Sequence, residues 1–224
     1  MDCAQIPRER PILFQGAMVR ALLNGSKTQT RRIVKASDLA RAGAEGPELW
    51  TGFMGWQPAE AVLADQSLST SKQTRCPYGQ PGDRLWVRET HRPIFGQTCG
   101  LINVDYRADP RAKWERLGDA SDCLIKLKWT PSIHMRREYS RILLEIVSVR
   151  VERLHEISEA DAAAEGWRRR PEVSDDPDVH SDAARDWYRD LWEEINGLDS
   201  WSANPWVWVV EFELMQNADH GAEQ

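Results

Sequence analysis

Lysine, threonine and arginine side chains are concentrated in residues 27–32, where they could together bind and activate a polar substrate. Lys27 is followed by hydroxyl groups at Thr28 and Thr30, and then by adjacent guanidinium groups at Arg31 and Arg32. An ammonium group is a compact, movable charge and a guanidinium group is a planar fork of donors, so this spacing suits an anion, a carbonyl oxygen or a nucleotide. The pattern is also typical of a solvated basic edge strand, since Lys protects sheet edges, and the residues alone favour that second interpretation.

The flanking sequence predicts that these residues lie between a helix and a strand. Apolar residues recur at helical spacing in 17–24. Asn24-Gly25 predicts the end of that helix, because Gly readily adopts the left-handed conformation. The Thr and Ile content that follows predicts a strand, in which odd-numbered and even-numbered residues face opposite sides.

A second group of candidate residues lies in and after residues 81–90. The Gly82-Asp83 turn signal precedes a predicted strand, with Leu85, Val87 and Glu89 on one face and Trp86, Arg88 and Thr90 on the other. Glu89 ends an apolar face, so we expect its side chain to lie at the rim of a barrel or to face a polar cavity. His134 follows Pro131 in an irregular segment, and a lone His is more often merely hydrogen-bonded than catalytic.

The third candidate region is a short helix that ends at a carboxylate. Ser158 predicts the N-cap of residues 159–165 and Gly166 predicts their end. Glu165 therefore falls in the last turn, where the helix dipole disfavours a negative charge. An acid at this position either has a chemical role or is simply exposed.

The remaining elements predict an α+β domain with a long, bent strand. Residues 141–154 alternate as a strand, but the phase of the apolar residues slips after Ile146, which predicts a bulge or a sharp bend of the kind that small closed barrels require. Residues 183–195 form an amphipathic helix, and residues 204–214 form a closing strand with an apolar face. We interpret residues 35–75, 107–125 and 168–182 as insertions that are mainly loop, and residues 216–224 as a disordered tail.

Length and composition restrict the class of protein. The 224 residues are 41% hydrophobic and 29% charged, and suit one domain with insertions, residues 1–224. No apolar run approaches the ~18 residues of a membrane span and no signal peptide is evident, so we expect a cytoplasmic protein. The net charge of -6 argues against broad adhesion to polyanions, so a nucleic acid would need a local basic patch. The four cysteines are too widely spaced for a paired zinc motif, and we expect no metal or other cofactor.

Several segments, in this order, resemble the ASCH domain of the PUA-like group. They are Gly25-Ser-Lys-Thr-Gln-Thr-Arg-Arg32, Pro81-Gly-Asp-Arg-Leu85, Ser158-Glu-Ala-Asp-Ala-Ala-Ala-Glu-Gly166 and Trp206-Val-Trp-Val-Val-Glu-Phe212. The chain is similar in particular to the longer ASCH proteins common in phage and prophage genomes. The resemblance implies a small mixed β-barrel with flanking helices, and a link to RNA or modified nucleosides.

The resemblance also implies a reaction. Some small members of the family are amidohydrolases that remove the acetyl group from N(4)-acetylcytidine with a Lys, a Thr and a Glu, and these fall on Lys27, Thr30 and Glu165. Thr30 would be a nucleophile or would position a water molecule. Lys27 would be a base or an oxyanion partner, and Glu165 would orient groups or shuttle protons.

Three functional interpretations follow. The first is an amidohydrolase acting on an N(4)-acylated cytidine or a related nucleoside. The second is a binding module for RNA or a modified base, in which arginines (Arg31, Arg32, Arg88 and Arg136) meet phosphates and a Trp stacks on the base. The third is a structural or protein-binding body. We expect a substrate or nucleic-acid surface formed by Thr28, Arg31, Arg32, Trp86, Arg88, Glu89 and His134, with no membrane and no obligate protein partner.

Overall fold

The protein is described by a computed structural model over residues 6–35, 41–43, 46–50, 56–58, 76–96, 100–109, 124–126, 128–168 and 183–215. The first half contains β1 (Glu9–Leu13), α1 (Gly16–Leu23), β2 (Gln29–Ile33), β3 (Arg41–Gly43), β4 (Gly46–Trp50), β5 (Trp56–Pro58), β6 (Arg84–Arg88), β7 (His91–Gly96) and β8 (Gly100–Tyr106). The second half contains β9 (Leu124–Lys126), β10 (Leu143–Arg153), α2 (Glu159–Ala164), α3 (Ala183–Asn196) and β11 (Trp206–Leu214). Single 3₁₀ turns lie at Ser132–His134, Arg137–Tyr139 and Leu154–Glu156.

A five-stranded mixed sheet organises the fold. Its strand order is β1-β6-β10-β11-β2, with β1 parallel to β6 and the other neighbours antiparallel. Two three-stranded sheets, β3-β4-β5 and β8-β7-β9, accompany it. The prediction of a mixed sheet with few helices is therefore confirmed. None of the helices in the described ranges is long and apolar enough to cross a membrane.

The phase slip in the long strand is a β-bulge. The register of β10 against β11 shifts between Ile146 and Ser148, which leaves Val147 as the extra residue. An extra residue moves the following side chains to the opposite faces of the strand. Apolar side chains consequently stay on one face along the whole strand, and Arg150 and Glu152 reach the other face.

The closing strand β11 is buried on both sides. Trp208, Val210 and Phe212 pack in one apolar core with α1 and the inner residues of β6 and β10. Val207 and Val209 point the other way, into a second core with α2 and α3. A strand covered on both faces reads as a continuous apolar run, and this explains Trp206–Val210 in the sequence.

The predicted helix ends are confirmed. Helix α1 ends at Leu23 with Asn24 as its C-cap, and Gly25 follows with a φ of 77°. The Ser158 side chain accepts a hydrogen bond from the Asp161 backbone, which caps α2, and Gly166 takes a φ of 113° just after it. These local signals place residue 27 shortly after the end of α1 and residue 165 at the end of α2.

Two expectations differ from the structure. The described parts of residues 35–75 include the strands β3, β4 and β5, so this segment is not simply loop, and β7 and β9 were not expected either. Strand β2 is an edge strand, but Thr30 and Arg31 are buried, as is Lys27 before it, so the expectation of a solvated basic edge is wrong. Residues 59–75, 110–123 and 169–182 and the tail 216–224 lie outside the described residues.

Candidate functional site

The centre of the candidate site is a buried ion pair between Lys27 and Glu165. Nζ of Lys27 lies 2.6 Å from Oε2 of Glu165 and donates a second hydrogen bond of 3.0 Å to the main-chain oxygen of the same residue. The two side chains are only 2% and 4% exposed. Backbone pairing positions them, because residues 27 and 165 form an isolated antiparallel bridge and Thr28 N–H donates to the carbonyl of Ala164.

Burial changes the protonation behaviour of this lysine. Desolvation lowers the pKa of Lys27, and the negative charge and hydrogen bond of Glu165 oppose this effect in part. The neighbouring Arg32 and Arg31 add to the lowering by charge repulsion. A lysine with a lowered pKa supplies a neutral amine more readily than an exposed one, which is the form that accepts a proton.

Arg31 is surrounded by three carboxylates. Its guanidinium lies 3.0 Å from Glu152, 3.4 Å from Asp161 and 3.7 Å from Glu165, and its side chain is fully buried. The first two carboxylates are on β10 and α2, so Arg31 joins the sheet to the helix that ends at Glu165. Of the three carboxylates, Glu152 accepts a hydrogen bond from Arg31 and Glu165 is the most distant.

The bulge in β10 supplies the outer part of this charged network. Arg150 pairs with Glu152 and Glu211 and lies 3.1 Å from Asp161. The side-chain amide of Gln29, oriented so that both of its groups are paired, donates to Asp161 at 3.0 Å. Because Arg150 and Glu152 both follow Val147, the extra residue of the bulge is what places them on this face.

A cavity of about 240 Å³ adjoins the ion pair, and we call it the first cavity. Lys27, Thr30 and Glu165 all line it, so the three residues predicted as catalytic are brought together. No hydrogen bond joins the Thr30 hydroxyl to Lys27 or Glu165. Aromatic residues supply much of the remaining wall: Phe14, Tyr78, Tyr188 and Trp192.

A second cavity, of about 580 Å³, lies beside the first. Its wall includes Arg20, Glu89, Thr90, Arg107 and Ser132, and the two cavities share Leu13, Phe14, Gln15 and Arg32. The shared residues belong to the end of β1, the connection to α1 and strand β2. One elongated ligand that passes along this common wall would therefore contact both cavities.

Two of the predicted binding residues line the cavities in addition to Arg31. Arg32 faces both, donates to the carbonyl of Leu13 at 2.7 Å and lies over the Phe14 ring. Glu89 lines the second cavity and accepts two hydrogen bonds from Arg141, of 2.9 and 3.1 Å. Burial raises the pKa of Glu89, and Arg141 opposes this effect.

The other predicted binding residues line neither cavity. Thr28 is exposed, and its main chain connects β11 to the end of α2. Trp86 is buried in the sheet, with the guanidinium of Arg88 over its ring at 4.7 Å. His134 is exposed in the first of the two 3₁₀ turns that precede β10. The structure does not bring these four residues to the Lys27–Glu165 pair, and their role in binding stays a prediction.

Sequence reasoning missed the aromatic and cationic walls of the cavities. Tyr188 lies on the buried face of α3, and burial raises its pKa, with a further contribution from the charge of Glu165. Arg20 and Arg107 have no motif around them. The amphipathic pattern of residues 183–195 predicts that Tyr188 lies on the apolar face of the helix. It does not indicate that this face borders a cavity. Among the residues that the structure describes, no group of three His, Cys, Asp or Glu side chains could hold a metal ion.

Comparison with known proteins does not assign this chain to a family. No protein-family model matches the chain, and no curated protein matches it. Among solved structures the chain is similar to an ASCH domain from Lactobacillus crispatus JV V101, with 12% identity over 92% of this chain and 79% of that chain. The TM-score of 0.32 is too low for this likeness to assign a family or an activity. The function therefore has to be argued from the site.

Proposed function

We propose that this protein is an amidohydrolase that acts on an N(4)-acylated cytidine or a related modified nucleoside. The observation that carries the proposal is the convergence of Lys27, Thr30 and Glu165 on one cavity, although the first and last are far apart in sequence. We propose with it that the chain is a phage-type ASCH protein with a PUA-like barrel. The bond from Arg32 to the carbonyl of Leu13 supports a closed sheet, because it links the two edge strands β1 and β2.

The shape of the first cavity suits the base and its acyl group. Whole drug-sized ligands occupy cavities of about 300–1,000 Å³, so a volume of about 240 Å³ suits a base with a small substituent and not a complete nucleotide. Aromatic walls stack well on a planar base. Phe14 and Tyr188 are both on this wall.

Hydrolysis by this site needs only water as a second reactant. Neutral Lys27 would accept a proton from a water molecule as its oxygen attacks the amide carbonyl carbon. The lysine would then return this proton to the exocyclic nitrogen as the C–N bond breaks, which yields the carboxylic acid and the amine of cytidine. Glu165 would hold Nζ in place, and the carboxylic acid product would lose its proton to solvent. Because no hydrogen bond joins the Thr30 hydroxyl to Lys27 or Glu165, we assign Thr30 to positioning the water.

The test uses the full chain, N(4)-acetylcytidine and chromatographic detection of cytidine. Thr30→Val removes the hydroxyl and keeps the shape of the side chain, and we expect it to lower kcat by about 100-fold or more with little change in KM. Thr130→Val is the matched control, since that residue is half-buried and lines neither cavity. Normal turnover by Thr30→Val would refute the assignment of Thr30, and absence of cytidine release by the unaltered chain would refute the hydrolase.

Lys27 is tested through the pH dependence of the same reaction. Because the neutral amine is the active form, kcat/KM should rise with pH until Lys27 is deprotonated and then become level. Lys27→Met should remove the activity. Its circular dichroism spectrum should match that of the unaltered chain at the assay temperature, so that loss of chemistry is separated from loss of fold. An activity that falls as the pH rises from 6 to 8 would contradict a lysine base.

A further inference from the structure

Two exposed arginines on the wall of the second cavity have no ionic partner within the part of the chain that the structure describes. Arg20 and Arg107 line it, and among the described residues neither side chain has a hydrogen-bond or ion-pair partner. Nη1 of Arg20 lies at the edge formed by Gly16, where an added Cβ would be 3.6 Å from it. The backbone N–H of Arg107 donates to the carbonyl of Thr90, which fixes the start of its turn beside the cavity.

This arrangement contrasts with the rest of the site. Lys27 and Arg31 are paired with carboxylates at 2.6 and 3.0 Å. The acid on the wall of the second cavity, Glu89, is already paired with Arg141. Unpaired guanidinium groups at one opening of a chain with a net charge of -6 form a local positive region that favours an anion.

We propose that the second cavity is a phosphate subsite, and that the ligand is the phosphorylated form of the nucleoside whose base occupies the first cavity. This inference rests on the proposed function. Guanidinium groups bind phosphate oxygens through paired, charge-assisted hydrogen bonds, and the hydroxyl groups of Thr90 and Ser132 on the same wall supply further donors.

The common wall between the cavities makes one ligand sufficient for both. Leu13, Phe14, Gln15 and Arg32 face the two openings, so a ribose can pass along them with the base on one side and the phosphate on the other. Arg32 lies on the wall that the two cavities share, and its side chain donates a hydrogen bond to the carbonyl of Leu13. The first cavity is too small for a complete nucleotide, which is consistent with a ligand that extends into the second.

The experiment measures, by titration calorimetry on the full chain, the dissociation constants of cytidine, cytidine 5′-monophosphate, cytidine 3′-monophosphate and a cytidine dinucleotide. We expect at least one phosphorylated ligand to bind about tenfold or more tightly than cytidine. We expect Arg20→Ala and Arg107→Ala each to remove most of this gain and to leave cytidine binding unchanged. Arg189→Ala, an equal charge loss at an exposed residue that lines neither cavity, should change neither value.

The outcomes separate the subsite from the proposed reaction. Tighter binding of the monophosphates identifies a nucleotide as the source of the phosphate, and tighter binding of the dinucleotide identifies an RNA strand; both support the subsite if they depend on Arg20 and Arg107. Equal binding of cytidine and all phosphorylated ligands refutes it, even if N(4)-acetylcytidine is hydrolysed. Arginine-dependent phosphate binding by a chain that releases no cytidine keeps the subsite and refutes the hydrolase.

Discussion

Removing the carboxylate of Glu165 should strongly destabilise the protein and make its stability depend on pH. In Glu165→Leu, Nζ of Lys27 keeps one acceptor, the main-chain oxygen of residue 165 at 3.0 Å. It loses the carboxylate oxygen at 2.6 Å, and the substitution puts no other anion in its place. Breaking a buried ion pair in this way costs about 3–5 kcal/mol. The part of this cost that comes from the buried ammonium charge is limited to about 4.6 kcal/mol at pH 7, because Lys27 can instead lose its proton, starting from an unfolded pKa of about 10.4.

The sign of the pH dependence follows from this limit. Burial lowers the pKa of Lys27 already in the unaltered chain, and loss of Glu165 removes the effect that opposes this lowering. The unfolded chain then binds more protons than the folded one between the lowered pKa and about 10.4, so stability rises with pH across that window. The expected slope is up to about 1.4 kcal/mol for each pH unit.

The assay is urea denaturation followed by circular dichroism at pH 7, 8 and 9, on the two single variants and on Lys27→Met/Glu165→Leu. We expect Lys27→Met to cost less than Glu165→Leu, because Glu165 still has Arg31 at 3.7 Å. The double variant should be more stable than Glu165→Leu, since it leaves no buried ammonium group, and Arg31 keeps Glu152.

An exposed ion pair is the matched control. Arg189 and Asp186 lie 3.1 Å apart on α3 with side chains 45% and 63% exposed, and Arg189→Met should change stability by less than about 1 kcal/mol. A Glu165→Leu variant that loses as little as this control, or whose stability is flat from pH 7 to 9, would refute the reasoning.

Substitutions at three further positions test the elements that position the site, each by the urea midpoint. Ser158→Ala removes the N-cap of α2 and should cost about 1 kcal/mol, while Ser158→Asp should restore most of it. Gly166→Ala places a Cβ 3.0 Å from that of Ala21 at a φ of 113°, and should cost more than about 1 kcal/mol and lower any activity as well. Phe212→Ala empties a buried position against Phe14 and should cost about 3–5 kcal/mol, and a loss below 1 kcal/mol would contradict the packing described.

Features with local causes could be predicted from the sequence. The bulge at Val147 follows from the change of apolar phase after Ile146, and the start of α2 follows from the hydroxyl of Ser158. Each of these depends on residues within a few positions of one another. The same holds for the left-handed residue Gly25, because the conformation that ends a helix is set by its own backbone.

Features with distant causes could not be predicted from the residues alone. Lys27 and Glu165 are 138 positions apart, and Arg31 and Glu152 are 121 apart. A strand of basic residues is expected to be exposed to solvent unless acidic partners are known. No local pattern identifies partners that lie more than a hundred positions away in the sequence. The grouping of Lys27, Thr30 and Glu165 was expected because of a family resemblance, and the residues themselves favoured an exposed edge. Arg20 and Arg107 carried no signal, because an isolated arginine is usually a solvated surface residue.

The two cavities differ in whether their lysine and arginine side chains are paired with carboxylates. We expect this difference to give them different affinities for a phosphate. In the first, the charges of Lys27 and Arg31 are offset by carboxylates, so an additional phosphate would meet Glu165 at short range and be repelled. In the second, Arg20 and Arg107 are exposed and unpaired within the described residues, so their charges are available to attract a phosphate. On the proposed function, this difference orients the substrate, because a phosphate bound in the second cavity directs the uncharged base and its amide towards Lys27. Reversal of the charge in Arg107→Glu should then lower kcat/KM for an acylated nucleotide and leave that for the acylated nucleoside almost unchanged, and an equal loss for both would refute this account of orientation.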